Sequence, residues 1–124
     1  MRLLMITTAI LLFATCAAAQ DAGSLFIFIY RQGPAWKVGA PIREQPAMGA
    51  HGAYMKRLFD EGRVFAAGPT TDAPGGLVIL RGDDLDEAKT LMAADPGVTS
   101  GMFTGEIHGW IPVFRSDKPL PSVR

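Results

Sequence analysis

Cysteine is almost missing from this sequence. The one copy in 124 residues, Cys16, falls inside an N-terminal apolar stretch, so a mature chain that has shed that stretch carries no thiol. Disulfides, thiolate nucleophiles and cysteine metal sites are thereby excluded together. Runs of like charge are missing too: twelve Lys and Arg balance twelve Asp and Glu, for a formal net charge of zero. Without a basic cluster, nucleic acid is disfavoured as a partner. No apolar run reaches the roughly 20 residues that a spanning helix needs, so no membrane span is expected. The sequence has no His-x-x-x-His pair, and Gly75-Gly76 is too short and misplaced for a phosphate loop. Neither a metal nor an organic cofactor is therefore expected.

What the N-terminus does have is the pattern of a secretion signal. Arg2 supplies the positive start, residues 3–13 an apolar run, and Ala17, Ala18 and Ala19 a small-residue cleavage site before Gln20. The expected division is a signal peptide over 1–19 and one α+β domain over 20–124, working in the periplasm or secreted. Lipid attachment at Cys16 would anchor the chain instead, but Thr15 directly before the cysteine fits that poorly. The remainder is long enough to bury a single core without staples.

Residues 25–30 are rich in aromatic and β-branched side chains and read as a strand whose two faces are both apolar. A glycine- and proline-containing stretch over 31–43 follows, with Trp36 in its middle; loops of that length tend to be functional or mobile. From 45 to 61, Met48, His51, Met55 and Leu58 recur at helical spacing, Pro46 suits a first turn and Gly62 a C-terminal cap. Gly49 and Gly52 each cost that helix about 1 kcal/mol relative to alanine, which suggests close approach of another element or a ligand. Residues 63–68 and 76–81 read as a hairpin. Asp84 and Glu87 resemble a capping box in front of a second helix that reaches Ala94, where Pro96 and Gly97 end it. A last strand is expected over 101–114, with Phe103, Ile107, Ile111 and Val113 on one face.

The order strand, helix, strand, strand, helix, strand closes most simply as a ferredoxin-like βαββαβ fold: an antiparallel sheet with two helices on one face. A sheet covered on one side should alternate apolar and polar residues, and the first and third strands do not. Leaving Phe26, Phe28, Val78 and Leu80 in water would forfeit about 1.5–3 kcal/mol per side chain. A second copy packed sheet to sheet is the expected cover, giving a homodimer.

Residues 51–72 (HGAYMKRLFDEGRVFAAGPTTD), followed by Gly75-Gly76, Asp86-Glu87-Ala88, Asp95-Pro96, Gly101 and the late Trp110, resemble the YCII-related (YciI-like) family over nearly the whole mature chain. The resemblance implies a ferredoxin-like subunit of the dimeric α/β barrel kind. It implies less about activity, since one characterised type is a dehydrochlorinase of chlorinated hydroxyaromatics and most members have no assigned reaction. It also implies a catalytic role for His51 and an assisting role for Asp72. Two positions depart from the family pattern: Met48 stands where an arginine is common before the histidine, and Gly97 where an aromatic residue is common after Asp-Pro.

On its own chemistry, His51 lies on the apolar stripe of its helix. Desolvation there favours the neutral imidazole and a nearby carboxylate the charged one, a balance suited to proton transfer; a core histidine held by one hydrogen bond is the alternative. Asp72 could orient the imidazole or serve as an ordinary turn residue, and Asp95 is a rival acid whose place before Pro96 suggests a structural role. Tyr30, Trp36, Tyr54, Gly68 and Pro69 are candidates for binding a small-molecule ligand. Glu106 and His108 lie two apart on a strand and read better as a surface or interface pair than as metal ligands. Two functions stay open: an enzyme of elimination or isomerisation type acting on a small cyclic or aromatic compound, or a non-catalytic ligand-binding module of the cell envelope.

Overall fold

The computed structural model describes residues 24–121; the expected signal peptide and Cys16 lie outside the described residues. Four strands, β1 (Ser24–Gln32), β2 (Val64–Pro69), β3 (Gly75–Gly82) and β4 (Phe103–Trp110), form one antiparallel sheet in the order β2-β3-β1-β4. The helices α1 (Met48–Asp60) and α2 (Leu85–Ala93) lie between strands in the chain, and a four-residue helix, α3 (Pro96–Thr99), follows α2. This is the ferredoxin-like α+β arrangement expected from the order of elements. Among the described residues no helix is long and apolar enough to cross a membrane.

Local chemistry accounts for most of the boundaries. Gly62 adopts a positive φ of 75° just past α1, where Arg63 N–H reaches back to Leu58 O at 2.9 Å and Gly62 N–H to Phe59 O at 2.9 Å. Those two bonds make a Schellman ending. At the start of α2, Asp84 Oδ1 accepts from Glu87 N–H at 2.8 Å, and Glu87 Oε2 accepts from Asp83 N–H at 2.7 Å. This is a capping box whose return bond lands one residue early. The helix α1 begins at Met48, later than expected, because Gln45 has another task. Its buried side chain accepts from Lys37 N–H at 2.8 Å and donates to Lys37 O and Ala40 O at 2.9 and 3.1 Å. The long loop after β1 is thereby tied into a fixed shape, and a 3-10 turn at Ile42–Glu44 follows it.

The core lies between the sheet and the helices: Phe26, Phe28, Leu58, Val78, Leu80, Met92 and Phe103 are all buried there. Phe26, Phe28, Val78 and Leu80, expected on the open layer, are instead the helix-covered layer. The open layer consists of their neighbours in sequence, Leu25, Ile27 and Ile29 of β1, paired across the sheet with Arg81, Ile79 and Leu77 of β3 and with Trp110, His108 and Glu106 of β4. In a strand apolar on both faces, alternation carries no sign of which parity points inward.

The last strand is also shorter than expected. Trp110 pairs with Leu25, next to the first residue of β1, and Pro112 follows without an N–H to offer. Ile111 and Val113 therefore stand exposed beyond the sheet.

Candidate active site

Helix α1 turns His51 toward the sheet, and a short helix that was not expected brings its partner. The partner is Asp95, the N-cap of α3, forty-four residues on: His51 Nδ1 lies 2.9 Å from Asp95 Oδ1 and 2.8 Å from Oδ2. The Asp95 side chain is fully buried, at 0% exposure, and that of His51 is 16% exposed. Two further donors hold the carboxylate: Gly97 N–H reaches Oδ1 at 2.8 Å and the Tyr30 hydroxyl reaches Oδ2 at 2.9 Å. With both of those groups donating to it, Asp95 is left as an acceptor, so the imidazole proton belongs on Nδ1. Nε2 then carries the lone pair, on the other edge of the ring.

The imidazole is clamped between aromatic edges, 5.5 Å from the Tyr30 ring at an interplanar angle of 76° and 5.2 Å from the Phe103 ring at 70°. Burial, followed by the nearby Asp95 charge, pushes the Tyr30 phenol far above its ordinary range, so Tyr30 stays a donor. Gly97 is required by proximity: a Cβ there would sit 2.9 Å from the Phe103 ring, 3.1 Å from His51 Nδ1 and 3.3 Å from Asp95 Oδ1. A side chain here would press on the Phe103 ring and on the His51–Asp95 pair itself.

Beside the pair lies a cavity of about 370 Å³, walled by Met48, His51, Gly52 and Met55 of α1, Gly68 and Pro69 of β2, and Phe103 of β4, with Arg43 also on its wall. Most of this lining is apolar, and its polar groups are few, as in small-molecule pockets generally.

Of the residues singled out from sequence, His51, Tyr30, Gly68 and Pro69 meet at this cavity. Tyr30 does so by its ring, its hydroxyl being committed to Asp95. Three others are placed elsewhere. Asp72 sits exposed in the β2–β3 loop, and the carboxylate bonded to His51 is Asp95, the rival acid. Tyr54 turns its hydroxyl to Leu91 O at 2.7 Å, under the Arg57 guanidinium at 5.0 Å; burial raises its pKa. Trp36 packs on Phe103, with ring centroids 5.7 Å apart, and lines a separate hollow with Val38 and Pro69. Met48, Met55, Phe103 and Arg43 went unnoticed as lining residues. The helical stripe already contained the two methionines, whereas nothing local marks Arg43. Glu106 and His108 form an exposed pair at 3.6 Å, with Arg31 on Glu106 at 3.2 Å.

Among known proteins, the uncharacterized protein YjpA of Bacillus subtilis (strain 168) is 36% identical over 66 residues, 53% of this chain and 78% of that protein. The solved structure of 5-chloro-2-hydroxyhydroquinone dehydrochlorinase (TftG) from Burkholderia phenoliruptrix AC1100, in complex with 2,5-dihydroxybenzoquinone, is similar with a TM-score of 0.54 and 24% identity. That likeness covers 70% of this chain and 93% of that one, and it bears on the fold alone. The YCII-related domain matches residues 25–110, which span the sheet from its first strand to its last, and the chain belongs to the YCII-related family.

Proposed function

We propose that this chain is a small-molecule enzyme in which His51 Nε2 moves protons on a small cyclic or aromatic compound, with Asp95 as the group that orients and charges-compensates the imidazole. The observation that carries this reading is the pairing of His51 Nδ1 with a buried carboxylate at 2.8 Å on the wall of an apolar cavity. A carboxylate so placed holds the tautomer and stabilises the imidazolium that forms when Nε2 accepts a proton. In an elimination, Nε2 takes a proton from the substrate, its electron pair becomes the new double bond, and the leaving group departs with the bonding pair. In an isomerisation the proton returns to a different atom. Arg43 also borders the cavity, its guanidinium exposed and 3.8 Å from Glu44, and would have to turn inward to meet the anion that develops. A hydroxylated ring, the kind of compound held by the dehydrochlorinase of similar fold, is the substrate class to test first.

The decisive experiment compares wild type with His51→Asn on a panel of chlorinated and hydroxylated rings, following chloride release and deuterium uptake from heavy water. Turnover is expected to vanish at temperatures where the variant is still fully folded, although losing a donor to the buried Asp95 charge lowers the melting temperature. Turnover that survives the substitution, or that falls only in step with the folded fraction, would remove His51 from the chemistry.

The proposal includes a setting. Residues 1–19 act as a signal peptide, and the domain over 20–124 works in the periplasm or outside the cell; an uncut chain in the cytosol would contradict this. Two copies pack through the open layer of Leu25, Ile27, Ile29, Leu77, Ile79 and Trp110, because leaving that layer wet costs more than burying it. A lone folded subunit in a sizing experiment would contradict that.

A further inference from the structure

Two glycines interrupt α1, and neither is explained by the protomer. Among the described residues the glycines with positive φ are Gly39, Gly62, Gly75 and Gly101, so the backbone at Gly49 and Gly52 is helical and open to any residue. Packing does not require them either: a Cβ built at Gly49 or at Gly52 would meet nothing within 4 Å. Glycine is nonetheless the worst helix former after proline, and α1 begins without a side-chain cap to offset it. One difference separates the two positions. Gly52 belongs to the cavity wall together with Met48, His51 and Met55, and Gly49 does not.

We infer that Gly52 is a specificity-determining residue, its bare backbone leaving room for a flat single ring to lie against α1 directly beside His51. The inference rests on the cavity's being the substrate site, as proposed above. At about 370 Å³, the cavity is near the lower end of small-molecule sites, where one methyl group on the wall takes a sizeable share of the width available to a ring. Helix backbone also presents a flatter wall than a side chain does. The neighbouring wall continues this character through Gly68, Gly75 and Gly76 on β2 and β3. A planar ring is thereby accepted between two stretches of nearly bare backbone, and a bulkier, puckered ring is not.

Alanine substitution separates the helix cost from the cavity, because the two effects have opposite signs. Gly52→Ala should raise the melting temperature by roughly 4–8 °C, the amount expected for removing a glycine from a helix interior in a domain of this size, and Gly49→Ala, in the first turn of α1, should raise it by less. Titration calorimetry with 2,5-dihydroxybenzoquinone should then give wild-type affinity for Gly49→Ala and at least about tenfold weaker binding for Gly52→Ala, the order of an overpacked methyl group. Equal binding by the two alanine variants would overturn the inference and leave the cavity as the site. A wild type that does not bind this compound would overturn the inference together with the reading on which it rests. Loss of self-association in Gly52→Ala, with binding unchanged, would assign the glycine to a contact between copies and overturn it as well. A lower melting temperature in Gly52→Ala would show that the wall is packed rather than open, with the same consequence.

Discussion

Replacing Asp95 by asparagine changes almost no volume and should still damage both stability and chemistry. The carboxylate accepts Gly97 N–H on Oδ1 and the Tyr30 hydroxyl on Oδ2, while His51 Nδ1 spans both oxygens. An amide has one acceptor edge and one donor edge, so whichever way it turns, Gly97 or Tyr30 faces an NH2 group. Gly97 cannot accept at all; Tyr30 can, but only by turning its own hydrogen away from the one partner it has. A buried donor left without a partner costs about 1–3 kcal/mol, which for a domain of this size lowers the melting temperature by roughly 5–20 °C. The amide also withdraws the charge that keeps the imidazole proton on Nδ1. Moving that proton to Nε2 removes the free lone pair, and in a histidine–carboxylate pair the wrong tautomer reduces turnover by about 10⁴-fold. Thermal unfolding reads the first effect. Long-range proton–nitrogen NMR of the imidazole reads the second, with His108, the only other histidine in the sequence, as an internal reference. An Asp95→Asn protein that melts like wild type and keeps its His51 proton on Nδ1 would refute the view that this carboxylate orients the imidazole.

Two further substitutions test the surroundings by their pH dependence. Tyr30→Phe removes a donor to a buried charge and should cost about 1.5–3 kcal/mol near pH 8. Because burial and Asp95 raise the Tyr30 pKa above its ordinary value of 10.0, this contribution is fully present below that value and fades as pH rises through it and the unfolded chain ionises. Urea unfolding from pH 8 to 11 should show the two proteins converging, and a constant gap would refute the assignment. Glu87→Gln removes the charge and one of the two oxygens that accept from Asp83 N–H and from the Arg63 guanidinium, each at 2.7 Å; these two bonds, the backbone one first, hold the Glu87 carboxyl below its ordinary value of 4.5. The variant should therefore melt below wild type near neutral pH, with the difference closing as pH falls through and below that value. A difference that persists in acid would point to lost packing instead.

Much of the fold was legible because its signals are local. The apolar spacing of α1, the Schellman glycine at 62 and the box at Asp84 and Glu87 each involve residues within one turn of one another. The order of elements then leaves few ways to close a sheet. His51 was legible for a related reason: a polar residue on an otherwise apolar helical stripe stands out without reference to anything distant.

The sequence by itself thus determined the four strands and two longer helices, their order, the family pattern and the one histidine worth testing. Tertiary structure alone decided which acid meets that histidine, which layer of the sheet is covered, and what walls the cavity. Asp72 lies nearer His51 along the chain, after a Gly-Pro that looks purposeful, and yet it faces water. Asp95, in an Asp-Pro step that reads as a helix stop, is both the cap of α3 and the partner of His51. The reason is that a short polar side chain has the same local signature whether it caps a backbone or also serves a site. Similarly, a strand apolar on both faces has no alternation from which its inner side could be read. Such questions are settled by how distant segments pack, and that information resides in pairs of residues that no local window contains.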